Sequence, residues 1–182
     1  MNLFSKLAAG AIAAASFVLP GEALADRSRM SPSFAAHYDL AAAAEEVGVD
    51  FILNSPQCDV EENTYGWYYA RGRQLVVCQV NKVKGSTQEM EWTAEDLDTL
   101  RHEIHHLVQD CVDGRIDGEL DAVYVQSEAV VAHVLSPYKI KRIIKAYADT
   151  GPYHTRMELE AFAVADMNDP VEQLADIRNY CM

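Results

Sequence analysis

His102, Glu103 and His106 stand in the spacing H-E-x-x-H. Four residues are slightly more than one turn of an α-helix, so both imidazoles project from one side and can grip one metal ion. The glutamate between them then reaches a water on that metal. The chemistry this arrangement suits is zinc-assisted hydrolysis. The ion polarises a carbonyl and acidifies water, while Glu103 takes the proton as general base and passes it to a leaving amine.

Such residues must be carried by a helix, and residues 93–111 supply one. Thr93 with Asp96 three residues later makes a capping-box start, and Leu97, Leu100, Ile104, Leu107, Val108 and Cys111 recur as one apolar stripe. Stepping about 100° per residue from Ile104 places His102 and His106 nearly opposite that stripe, together with Glu95, Thr99 and Gln109. A lone histidine there reads as part of a solvated face, but two flanking a glutamate read as a metal site. His105 lies toward the flank near Arg101 and is not counted as a ligand.

Zinc in a catalytic site takes a third protein ligand and leaves a fourth position to water. A helix expected over residues 155–167 offers Glu158 and Glu160, which point to nearly opposite sides. Glu158 shares its side with Ala161, Phe162 and Ala165, whereas Glu160 pairs with Arg156 at four-residue spacing. A carboxylate among small apolar residues needs a positive partner, which favours Glu158. Against that, Glu158 is three residues after Thr155 and completes a capping box there, which leaves Glu160 as the alternative ligand.

With His102-Glu103-Ile104-His105-His106 followed by Glu158-Leu159-Glu160-Ala161, the chain resembles the gluzincin zinc metallopeptidases. In that group H-E-x-x-H supplies two ligands and a later helix supplies a glutamate. A small residue often stands three positions after that glutamate, as Ala161 does for Glu158 and Ala163 for Glu160. Glu160-Ala161-Phe162-Ala163 is also similar to the E-x-F-A stretch of the aminopeptidase branch. One position further on, where Asp or Asn is frequent, this chain has Phe162 or Val164. The resemblance implies a zincin-like α+β fold, with a small β-sheet or hairpin packed on the H-E-x-x-H helix and a C-terminal helical part. It implies Zn2+ as cofactor, a peptide or protein as substrate, and peptide-bond hydrolysis with Glu103 as base. The oxyanion of that reaction needs a further donor. Tyr153 and His154, just before the third-ligand helix, are the candidates.

The ends of the chain set the compartment. Lys6 precedes an apolar, alanine-rich run over residues 7–19, and Ala23-Leu24-Ala25 closes it as a small-x-small cleavage site. Residues 1–25 therefore read as a signal peptide of an exported protein, secreted or periplasmic, and residues 26–182 as a single domain. The run is shorter than the ~20 residues a spanning helix wants, so no membrane association is expected after cleavage. A formal net charge of −13 disfavours nucleic acid and anionic lipid as partners. Four cysteines in an exported chain suggest two disulfides, and of the three pairings we expect Cys58 with Cys78 and Cys111 with Cys181.

The remaining elements frame the site. An alanine-rich helix is expected over 31–47, ending at Gly48, then a short strand at Phe51-Ile52-Leu53. Aromatic and β-branched runs on either side of Arg71-Gly72-Arg73 predict a hairpin over residues 65–80. After Cys111 the acidic loop with Asp110, Asp113, Asp117, Glu119 and Asp121 lacks the EF-hand spacing and reads as solvated. A buried helix is expected over 127–135, then one opened by Ser136-Pro137 and running to about Ala148, and a last one opened by Asp169-Pro170.

Overall fold

The computed structural model describes residues 32–60 and 64–182, with side chains from residue 35 onward. The signal-peptide segment, residues 1–25, lies outside the described residues. The described residues form an α+β protein with six α-helices and one three-stranded sheet. In order these are α1 (Pro32–Glu46), β1 (Asp50–Leu53), β2 (Gly66–Tyr69), β3 (Gln74–Val77), α2 (Ala94–Asp110), α3 (Ser127–Val134), α4 (Pro137–Ala146), α5 (Pro152–Met167) and α6 (Pro170–Tyr180).

The expected hairpin forms as β2 antiparallel to β3, with Tyr68 opposite Leu75. β1 adds to the far side of β3 in parallel, giving the order β1-β3-β2 and leaving β2 as an edge. At the turn the left-handed residue is Arg73, with φ 49°, not Gly72. Gly72 answers a different need: a Cβ there would run into the Tyr69 ring.

α2 is the central element. Its capping box is formed, with the Thr93 side chain accepting from the Asp96 N–H and Asp96 accepting from the Thr93 N–H. Asp96 also accepts from the Val80 N–H, tying the start of α2 to the chain leaving β3. The apolar stripe Leu100, Ile104, Leu107 and Val108 packs with Leu40, Ala44, Leu75, Val77 and Ile177 in the main core. Full burial of each large member of that stripe stabilises the fold by about 1.5–3 kcal/mol. The polar face is buried too, because α5 lies against it. A helix enclosed on both faces cannot carry a solvated histidine row, so its polar groups must satisfy one another.

Two disulfides lock this arrangement. Cys58–Cys78 joins the segment after β1 to the end of β3, and Cys111–Cys181 joins the C-caps of α2 and α6. Disulfides persist in oxidising surroundings, so the pair points to an extracellular environment. Among the described residues no helix is long and apolar enough to cross a membrane.

Two expectations are corrected. α3 is buried only at Ser127 and Val131, because it lies on the surface and turns a single stripe toward α5 and α4. α5 begins at Pro152, one turn earlier than the sequence suggested, with Gly151 at φ 91° as its N-cap and proline in the first turn. Thr155 is consequently inside the helix and its hydroxyl donates to the carbonyls of Gly151 and Tyr147, so it makes no capping box with Glu158.

Candidate metal centre

α2 and α5 pack side by side and bring His102, His106 and Glu158 to one point. His102 Nε2 lies 3.1 Å from His106 Nε2 and 3.2 Å from Glu158 Oε2, and His106 Nε2 lies 3.5 Å from Glu158 Oε1. Atoms around a tetrahedral zinc with bonds of about 2.0–2.1 Å stand roughly 3.3 Å apart, so these separations fit that ion. Both imidazoles are buried and Glu158 is partly so. Buried Glu158 Oε2 makes no hydrogen bond among the described residues despite its closeness to His102. Two nitrogens and a carboxylate converging with an unmet acceptor suit a borderline-soft divalent cation.

The electrostatics of the three groups follow from their closeness. Burial works against the charged form of His106, but the Glu158 carboxylate, with Glu103 and Gln109 behind it, pushes the imidazole up to about 9. Burial likewise favours neutral Glu158, yet His106 and His102 hold its carboxyl well below the usual range. The pocket thus keeps a negative ligand ready and retains a proton that a metal would have to displace.

Glu103 stands beside the cluster, buried, with its carboxyl raised first by desolvation and further by the charge of Glu158, against the pull of His102 and His106. The Tyr68 backbone N–H, on edge strand β2, favours its charged form. β2 approaches this closely because position 66 is glycine: a Cβ there would meet Glu103 Cγ at 3.2 Å and Thr99 Cγ2 at 2.7 Å.

A family model described as Domain of unknown function (DUF8637) matches residues 35–182. The chain belongs to this family. No curated protein and no solved structure matches it. The DUF8637 match takes in both disulfides and every residue of the cluster, so the centre lies within the domain that defines the family.

Within the DUF8637 domain the two carboxylates of α5 part company. Glu158 joins the histidines, whereas Glu160 is fully buried on another side of the helix, 3.0 Å from His105 Nε2. His105 is held neutral by burial, and its Nε2–H donates to Glu160, whose carboxyl is kept low, against burial, by His105 and the Val123 N–H. Tyr153 and His154 are exposed on the first turn of α5, ring against ring, and partial burial with the charge of Asp121 raises the Tyr153 phenol.

Three features were not anticipated from sequence. The Tyr147 phenol, from the C-cap of α4, faces the cluster, and burial with the charges of Glu158 and Glu103 raises it above the ordinary phenol range. Its carbonyl is fastened by the hydroxyls of Thr150 and Thr155, which shapes the turn between α4 and α5. Gln109 Oε1 lies 2.8 Å from His106 Nδ1, a contact signalled only by the three-residue spacing. Asp110, expected in a solvated loop, is fully buried and accepts from Tyr68 Oη and from the N–H groups of Asp117 and Gly118. It thereby fastens both β2 and the loop 111–126 to the end of α2.

Proposed function

We propose that this chain is an exported zinc-dependent metallopeptidase with a zincin-like arrangement of sheet, H-E-x-x-H helix and C-terminal helices. The observation that carries the reading is the buried convergence of His102, His106 and Glu158 with Glu103 beside them. Export is supported by the leader-like residues 1–25 and by the two disulfides.

His102, His106 and Glu158 would hold the zinc, which when bound supplies Lewis-acid polarisation and a lowered pKa for water. Glu103 accepts a proton from the water that attacks the peptide carbonyl, and its carboxyl, raised by burial, is poised to return that proton to the amine as the C–N bond breaks. Water is thereby added across the amide, giving a carboxylate and an amine. Tyr147, a neutral phenol next to Glu158, is placed to donate to the carbonyl oxygen as it becomes negative. Tyr153, exposed and near the charge of Asp121, is the less suitable donor.

A second reading has one observation in its favour. His102 Nδ1 is buried without a hydrogen-bond partner among the described residues, and the Phe162 ring sits 4.3 Å from the His102 ring. A metal-binding histidine ordinarily donates that second N–H to an acceptor. Its loss suits a disulfide-bonded zinc-binding or interaction domain that no longer cleaves, although such a domain has no need of Glu103. Incubating a mixed peptide library with the zinc-loaded chain and reading the products by mass spectrometry separates the two. Cleavage that disappears in Glu103→Ala supports the peptidase, and no cleavage by a fully zinc-loaded parent supports the binding domain.

A further inference from the structure

Gln109 follows His106 by three residues on the enclosed face of α2 and is fully buried. Its amide meets three groups. Oε1 lies 2.8 Å from His106 Nδ1, while Nε2 donates to the Met157 carbonyl at 3.1 Å and to Glu160 Oε1 at 3.3 Å. A backbone carbonyl can only accept, and Glu160 Oε1 already accepts from the Val123 N–H at 2.8 Å and faces His105 Nε2 at 3.0 Å. Turning the amide over would set its oxygen against both acceptors. The orientation is therefore fixed by its surroundings, and Oε1 is the atom that faces His106.

The tautomer of His106 follows. Facing an acceptor, Nδ1 must carry a proton, so in the neutral ring the lone pair is on Nε2, the atom that points at His102 and Glu158. Glu160 acts on the other ligand helix as well. Glu158 and Glu160 leave α5 in different directions, so pinning Glu160 to His105 and Val123 fixes the rotation at which Glu158 reaches the histidines. His102 has no such support, its Nδ1 being without a partner among the described residues.

We propose that Glu160, His105 and Gln109 form a buried positioning network that fixes the His106 tautomer and the turn of α5, so that outer support of the metal centre rests on one ligand histidine. This inference rests on the zinc reading above and adds to it residues that touch neither metal nor substrate. Loss of an outer hydrogen-bond partner weakens metal binding about 10–100-fold. With no second brace at His102, Gln109→Met should fall in that range.

The test uses zinc itself as the probe on the full chain, with affinity read by competition against a chromophoric chelator. Nitrogen-15 NMR of the zinc-loaded chain supplies the histidine tautomers. Gln109→Met should bind zinc about 10–100-fold more weakly. Glu160→Gln, which removes the charged anchor of α5 and leaves the Met157 carbonyl alone to hold the Gln109 amide, should also weaken zinc while His106 stays protonated at Nδ1. The parent should show His106 protonated at Nδ1 and bound through Nε2. Zinc affinity of Gln109→Met within twofold of the parent, or a parent His106 bound through Nδ1, overturns the network while leaving the zinc reading intact. If Gln109→Met does not fold, the parent spectrum alone decides. A parent that binds no zinc overturns both.

Discussion

Replacing Gly66 by alanine should separate the placement of Glu103 from the holding of the metal. The backbone at residue 66 is not among the left-handed positions, so the whole effect comes from space. The new Cβ would stand 2.7 Å from the Val76 carbonyl oxygen, 2.7 Å from Thr99 Cγ2 and 3.2 Å from Glu103 Cγ, where ordinary contact begins at 3.4 Å. Val76 is backbone in the neighbouring strand and cannot give way. Thr99 is held by its hydroxyl bond to the Glu95 carbonyl at 2.9 Å. β2 must therefore move away from α2 by about 0.7 Å, a shift in the overpacking range of about 1–3 kcal/mol. Because the new methyl group also crowds Glu103 Cγ, hydrolysis should fall by roughly 10²-fold, the penalty for misplacing a catalytic group by an ångström. Zinc content should stay at the parent level, since no ligand lies on β2. Urea unfolding, elemental analysis and peptide turnover on one preparation check all three, and adding Thr99→Ser should recover only part of the stability. A Gly66→Ala chain within 0.5 kcal/mol of the parent and equally active would refute the close-approach argument.

Three further outcomes are expected. Replacing Cys111 and Cys181 by alanine opens a crosslink spanning 70 residues and should remove about 4 kcal/mol on the chain-entropy model, against about 3 kcal/mol for Cys58 and Cys78 at a separation of 20, both read from denaturant midpoints. Zinc affinity should rise close to tenfold per pH unit from pH 6 to 8: His106, pushed up to about 9, is protonated across that window and must lose its proton to bind, whereas Glu158, held low, has none to lose. A pH-independent dissociation constant would contradict this. Tyr147→Phe should retain zinc and lower kcat by roughly 10²–10³-fold, the effect of removing one oxyanion donor, while Tyr153→Phe should leave kcat within a few fold.

What local chemistry determines was legible in the chain, and what distant packing determines was not. The Thr93 and Asp96 caps, the proline-opened helices at Ser136 and Asp169, and the apolar stripe of α2 are set by residues within a turn or two, and each appears in the structure. Thr155 resembles a cap in sequence, whereas Gly151 and Pro152 together supply the start of α5. The parallel pairing of β1 with β3 joins segments over twenty residues apart and leaves no local mark. For the site, one helix carries His102, Glu103 and His106, so their convergence could be read from spacing. The choice between Glu158 and Glu160 depends on the rotation of α5, which is fixed by His105 and Val123 from elsewhere in the chain. Tyr147 enters only because the turn after α4 folds back under the hydroxyls of Thr150 and Thr155.

Elemental analysis of the purified chain, beside His106→Ala, Glu158→Ala and Glu103→Ala, shows whether His102, His106 and Glu158 hold a metal. Close to one zinc per chain is expected in the parent and in Glu103→Ala, with loss of the metal in both His106→Ala and Glu158→Ala. A parent that takes up no zinc on reconstitution at neutral pH, or a Glu158→Ala chain that holds it as tightly as the parent, would contradict the assignment of this cluster as a metal centre.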